Sequence, residues 1–233
     1  MSLVRRSRSK HISYKMNFTS QDILAKAYAS HRDSAPPVSS SYLCSYPAIL
    51  EHFQSVASFS AHEFVVAAHI VYGWMPTVLE LDFTSLAEAV PVLEAARQGV
   101  IISAPQIDLL ASAVNHSVTG ASKLLHFTNP HLYPIWDSRV YAFLKQTGTA
   151  PLPRVHHYQV NRAALYEAYA HACREVVLTT DFQPTYQQLV EQFRALAAYQ
   201  TFVITPLRAL EYIMFVGGSK TKPLPRESPS TLI

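Results

Sequence analysis

Several things are scarce in this chain, and each scarcity closes off a class of function. It has two cysteines, Cys44 and Cys173, far apart and outside any CxxC pair. A disulfide framework is therefore not supported, each thiol reads as a small buried hydrophobe, and a reducing cytoplasm is the expected compartment. The six glycines form neither a P-loop nor a dinucleotide fingerprint, so no nucleotide cofactor is expected. GxSxG is absent, and neither cysteine has a nucleophile motif around it. No apolar run reaches the length of about eighteen residues that a membrane span needs. The N-terminus "MSLVRRSRSKHISYKM" is basic without an apolar core, which excludes a secretory signal and leaves a flexible basic arm over 1–18. Eleven histidines are present, but HExxH is missing. His62 and His69 stand at heptad rather than i,i+4 spacing, and the adjacent His156 and His157 diverge, so no metal site is expected.

Charge is also sparse. Charged residues make up 15% of the chain, and the net charge is +3. Five cations lie in the arm (Arg5, Arg6, Arg8, Lys10, Lys15), and Lys220, Lys222 and Arg226 against Glu227 give a C-terminal tail a net of +2, which leaves −4 for residues 16–217. This balance counts against a broad basic face for nucleic acid, while it allows a local basic patch. The sequence sets no oligomeric state.

What is present is helical punctuation in a chain that is 49% hydrophobic. Ser20 precedes "QDILAKAYASH", and Pro47 opens "AILEHFQSVASF". Capping-box spacing recurs at Ser60/Glu63, Ser85/Glu88 and Ser103/Gln106. Asn161 is placed to cap "RAALYEAYAHACREVVL", and a helix follows around "TYQQLVEQFRALAAY". Thr205-Pro206 opens "LRALEYIMF", with Gly217 as its stop. Apolar residues recur at three and four positions, as in Ile107, Leu110, Ala111 and Val114, and the strand-like "EVVLTT" and "QTFVIT" are read as helix ends. The expectation is a single all-α domain over 19–217, a bundle of roughly eight to ten helices, followed by a tail over 218–233.

Two segments invite a functional reading. "VYGWMP" ends a helix in an aromatic turn, and Tyr72 and Trp74 there serve either as core or as a stacking wall for a base. "GASKLLHFTNPHLYPIWDSRV", Gly120 to Val140, sets a lysine before an aspartate across a proline-bounded loop. With Ser122 as N-cap, Lys123 falls in the first turn of a helix, where the positive end of the dipole favours the neutral amine. Asp137 is placed to cap the next helix, accepting from its backbone N–H groups. Trp136 and Tyr133 stand beside it, and Arg139 is a further ionic partner.

"GASKLLHF…YPIWDSRV" resembles the catalytic segment of the helix-hairpin-helix DNA glycosylases, notably the oxoguanine type, and also resembles small bacterial proteins carrying "YGWMP" and "IWDSRV". The resemblance implies a helix-hairpin-helix element near 112–147. It makes Gly120 part of the hairpin, Lys123 the Schiff-base lysine and Asp137 the activating aspartate. It further implies DNA as partner, with Ser122, Tyr72, Trp74, Trp136 and Arg139 as contact residues and no cofactor. The activity would be hydrolysis, or lyase cleavage, at the N-glycosidic bond of a damaged or modified base. The family's hairpin carries two glycines around an apolar residue, whereas "SVTGASK" offers one. The alternative is a non-catalytic DNA-binding or interaction protein in which Lys123 and Asp137 form a structural salt bridge.

Overall fold

The computed structural model describes residues 19–30, 41–145 and 160–219. These residues form ten α-helices: α1 (Ser20–Ser30), α2 (Ser41–Ser55), α3 (Ala61–Trp74), α4 (Phe83–Arg97), α5 (Ala104–Ala113), α6 (Val118–Thr128), α7 (Ser138–Leu144), α8 (Ala163–Leu178), α9 (Gln183–Arg194) and α10 (Pro206–Ser219). Short 3-10 turns lie at Thr180–Phe182 and Ala197–Tyr199. Among the described residues there is no strand, only an isolated bridge between Leu81 and Val114, and the fold is all-α as the periodicity predicts. No described helix is long and apolar enough to cross a membrane. The basic arm over 1–18 and the tail beyond Ser219 lie outside the described residues.

The helix starts follow local chemistry, with corrections. The Ser60/Glu63 and Ser103/Gln106 capping boxes both form, and Thr205 Oγ1 accepts from the Arg208 amide at 3.2 Å. Pro47 opens nothing: α2 begins at Ser41 and carries Pro47 inside it. Interior proline costs a helix about 3 kcal/mol, and the buried stripe Leu43, Tyr46, Leu50 and Phe53 offsets it by docking α2 on the core. Asp82, not Ser85, caps α4, with Oδ1 accepting from the Thr84 amide at 2.9 Å. Ser85 instead donates to the other oxygen of Asp82 at 2.8 Å. Asn161 leaves the cap of α8 to Arg162 and reaches across the chain, accepting from the Val118 amide and donating to the His116 carbonyl, both at 2.6 Å. Gly217 does not end its helix, because α10 continues through Gly218. Cys173 is buried as expected, but Cys44 is exposed.

Two packing relations position the candidate site. α6 packs on α2, α3, α4, α5 and α8, and nine of its residues are buried, including Ser122, Lys123 and His126. A helix covered on all sides forces its polar side chains to find partners inside the protein. α10 packs closely along α7, and Gly217 and Gly218 make this possible. A Cβ on Gly217 would strike the Phe143 ring, and one on Gly218 would strike the Arg139 backbone.

Candidate functional site

The extended segment Tyr133–Trp136 delivers Asp137 to the start of α7. With no strand beside it, the segment is held by side chains, because buried carbonyls need donors. His126 Nδ1 donates to the Tyr133 carbonyl at 2.7 Å. The Tyr166 hydroxyl donates to the Pro134 carbonyl at 3.2 Å and the Tyr169 hydroxyl to the Ile135 carbonyl at 3.0 Å. Ser122 Oγ lies 3.2 Å from the Trp136 carbonyl and accepts from the Trp136 amide at 3.1 Å. On the other ring nitrogen, His126 Nε2 accepts from the Tyr46 hydroxyl at 2.8 Å. This pairing fixes a neutral imidazole, which burial also favours by pushing its pKa down to about 3. Asp137 then caps α7 as its sequence position predicts, with Oδ1 accepting from the Arg139 and Val140 amides, both at 2.9 Å.

Asp137 and Ser138 form part of the wall of a cleft of about 530 Å³. The α5–α6 turn lines the rest of it with Asn115, His116, Ser117 and Thr119, joined by Tyr72, Met75 and Asn161. Asn115 and His116 have φ of 54° and 48°, the left-handed region. The glycines expected of a hairpin are thus replaced by two residue types that tolerate this conformation. Asn115 is secured there by accepting from the Glu80 amide at 2.9 Å and donating to the Val78 carbonyl at 3.1 Å.

The other sequence-predicted residues do not all join this cleft. The N-cap of α6 is Ser117, with Oγ accepting from the Gly120 amide at 3.0 Å. Gly120 therefore sits inside the first turn of the helix rather than in a hairpin. Ser122 is not a cap but the clamp on Trp136. Lys123 lies a full turn further along than expected, beyond the reach of the helix dipole. It is 8% exposed, with Nζ 5.9 Å from the centre of the Trp74 ring. Its pKa is lowered by burial, against the opposing pull of Asp137 and Glu211. The amine thus tends toward its neutral form for a different reason than the sequence suggested. The direct Lys123–Asp137 salt bridge is not among the ion pairs of the described residues, which are Arg97–Glu94, His171–Glu175, Arg194–Glu191 and Arg208–Glu211.

The aromatic residues divide as well. Trp136 is fully buried, with Nε1 donating to the Val160 carbonyl at 2.7 Å and its ring 4.9 Å from Tyr169. It is a core residue with no face for a ligand. Trp74 stacks on Tyr42 at 4.0 Å and donates to the Tyr42 carbonyl at 3.0 Å. Tyr72 reaches the cleft wall and donates to the Val114 carbonyl at 3.0 Å. Arg139 is exposed beside Asp137, with its guanidinium 4.4 Å from the centre of the Phe215 ring.

Sequence reading missed Arg208 and Glu211. Both are fully buried on α10 and paired to each other through Arg208 Nη1 and Glu211 Oε2. A signal was available: every neighbour from Leu207 to Met214 is apolar or aromatic, so a helix apolar all round has no outward face for the two charges. Burial raises Glu211 to about 7, against the pull of Arg208. Among the described residues no group of three or more His, Cys, Asp or Glu side chains is placed to hold a metal ion.

Gly120 is required by Tyr72, since a Cβ there would collide with the buried phenol. Helix propensity alone favours Gly120→Ala by about 1 kcal/mol, but overpacking against a fixed ring costs about 1–3 kcal/mol. Gly120→Ala is therefore expected to lower stability by up to about 2 kcal/mol in urea denaturation. Combined with Tyr72→Phe, which removes the colliding oxygen, the total loss should fall below the sum of the two single changes. Strict additivity would show that the two residues do not press on each other.

Residues 85–218 match a family of unknown function, DUF6308, and the chain belongs to that family. The match takes in Lys123, Asp137, Arg208 and Glu211 and stops short of Tyr72 and Trp74. No curated protein and no solved structure matches the chain.

Proposed function

We propose that the chain is a DNA base-excising hydrolase of the helix-hairpin-helix glycosylase kind, with Asp137 as its central group and water as the attacking nucleophile. The observation that carries this reading is the position of Asp137. Asp137 lines the cleft, its carboxylate is clamped at one oxygen by two backbone amides, and the α5–α6 turn lining the same cleft carries Asn115 and His116 in the left-handed conformation. A fixed carboxylate stabilises the oxocarbenium-like centre that develops as an N-glycosidic bond opens. The C1′–N bond breaks and its electron pair leaves with the base. Water oxygen bonds to C1′, and Asp137 takes the proton that water loses.

Lys123 is not on the wall of this cleft, which favours water over an imine-forming amine. DNA would be held by the backbone of the α5–α6 turn and by Arg139, a local contact that suits a domain without a broad basic face.

The test is single-turnover incubation with duplexes carrying deaminated, oxidised or alkylated bases, followed by alkaline cleavage of abasic sites and, separately, borohydride trapping. The expected result is base release from at least one lesion without a trapped covalent complex. Trapping lost on Lys123→Gln would restore the lysine as nucleophile. DNA binding with no release from any substrate would leave a non-catalytic binding protein.

A further inference from the structure

The cleft that Asp137 lines also carries a histidine, and packing does not account for it. His116 is exposed, and its ring makes no hydrogen bond, ion pair or aromatic contact among the described residues. Other histidines are occupied. His126 uses both ring nitrogens, His69 donates to the Val65 carbonyl at 2.8 Å, and His171 pairs with Glu175. His116 also stands at a φ of 48°, a conformation that is unfavourable for any residue but glycine and persists only where the surroundings impose it. Asn115 offsets the same conformation with two side-chain hydrogen bonds. The His116 ring offsets nothing, so an imidazole is kept where glycine would relieve strain.

The backbone that carries this ring is pinned on every side. Asn161 donates to the His116 carbonyl and accepts from the Val118 amide, both at 2.6 Å. Asn115 ties the preceding residue to Val78 and Glu80, and Ser117 caps α6 directly after it. Three titratable residues line the cleft: His116 from the α5–α6 turn, Asp137 from the start of α7 and Tyr72 from α3. The Tyr72 hydroxyl donates to the Val114 carbonyl at 3.0 Å, and burial pushes its pKa up to about 12, which takes it out of proton exchange near neutrality. Other charged residues flank the wall. Arg139 and Arg162 follow the lining residues Ser138 and Asn161 in the chain, and the Glu80 amide meets Asn115. The cleft thus holds one fixed carboxylate and one unengaged imidazole.

We infer that His116 is the acid that protonates the departing base, and that the substrates are bases which stay uncharged until the glycosidic bond breaks. This rests on the hydrolase reading proposed above. An uncharged base that leaves with the bonding electron pair becomes an anion, and a proton delivered to a ring nitrogen or exocyclic oxygen lets it leave neutral instead. The C1′–N bond breaks, its pair goes to the base, and the base takes the proton of the His116 imidazolium. Water oxygen bonds to C1′ and Asp137 takes the proton that water loses. Exchange with solvent then returns a proton to His116 and removes the one on Asp137. Histidine suits this task because it gains and loses a proton near neutrality. A ring-alkylated cationic base already leaves as a neutral molecule and needs no acid.

The test uses the full chain in single-turnover release from duplexes carrying uracil or hypoxanthine, which are uncharged, and 7-methylguanine, which is cationic. Wild-type release of an uncharged base should fall with rising pH across the range in which histidine titrates. His116→Gln should slow that release by at least about 100-fold and abolish the fall with pH. Its loss on 7-methylguanine should be at least about tenfold smaller. If 7-methylguanine is not released at all, the pH dependence decides. His116→Gly should lose the same activity with Tm unchanged or raised, because glycine relieves the left-handed strain; if it does not fold, His116→Gln carries the test. Three results overturn the acid and leave the hydrolase standing: release of an uncharged base by the variants within about tenfold of wild type, equal losses on both kinds of base, or wild-type release of 7-methylguanine alone. No release of any base by folded wild type removes the hydrolase and the role of His116 with it.

Discussion

Asp137→Asn is expected to slow the proposed base release severely while leaving the protein as stable as wild type. The two effects separate because the side chain has two tasks. As N-cap of α7 it needs only an acceptor oxygen toward the Arg139 and Val140 amides, and asparagine caps a helix about as well as aspartate. In the proposed hydrolysis it faces a developing positive centre, and for that it needs its charge. Loss of that charge should reduce the single-turnover rate by roughly 10²–10³-fold, with the melting transition essentially unmoved. Asp137→Ala provides the contrast. It should lose the same activity and also about 0.5–2 kcal/mol of stability through the missing cap. An Asp137→Asn protein that releases base within tenfold of wild type would remove Asp137 from the chemistry.

Trp136→Ala is the substitution with the largest expected effect on stability. The indole is fully buried, packs on Tyr141 and Tyr169, and is the donor to the Val160 carbonyl. Truncating a large core aromatic costs about 3–5 kcal/mol, and an unpaired carbonyl at Val160 adds to it. Chemical denaturation at neutral pH should therefore show a loss of that order. A residue that served only to stack a substrate base would leave the unfolding midpoint where it was, so a near-neutral result would return Trp136 to the ligand side.

The opposite fates of Trp136 and Asp137, adjacent in the chain, show what a sequence can and cannot reveal. Asp137 was legible because capping is local: the signal and its partners span three residues. So were the boxes at Ser60 and Ser103. Trp136 was not legible because its surroundings come from α8 and from Val160, more than twenty residues away, and an aromatic beside two charges reads equally well as a wall. Lys123 was misplaced by a choice between two serines. Ser117 and Ser122 are both credible caps, and only the left-handed turn at Asn115–His116 sets the helix start at the first. Asn161 was read as a local cap and proved to be a long-range tie between the α5–α6 turn and the start of α8. Arg208 and Glu211 drew no reading from the sequence, although the apolar helix around them already pointed inward.

The four side chains that hold Tyr133–Trp136 bear on how this family is to be compared. A strand's backbone ladder tolerates nearly any side chain, and its sequence can drift while its geometry persists. Here Ser122, His126, Tyr166 and Tyr169 do the work of a neighbouring strand, so heredity must preserve their chemistry to preserve the shape. All four, and Asp137 with them, fall inside the stretch that defines the family. Positions 122, 126, 166 and 169 are consequently expected to travel with the aspartate among relatives. A relative that keeps Asp137 but has lost these donors has kept the letter without the support that aims it.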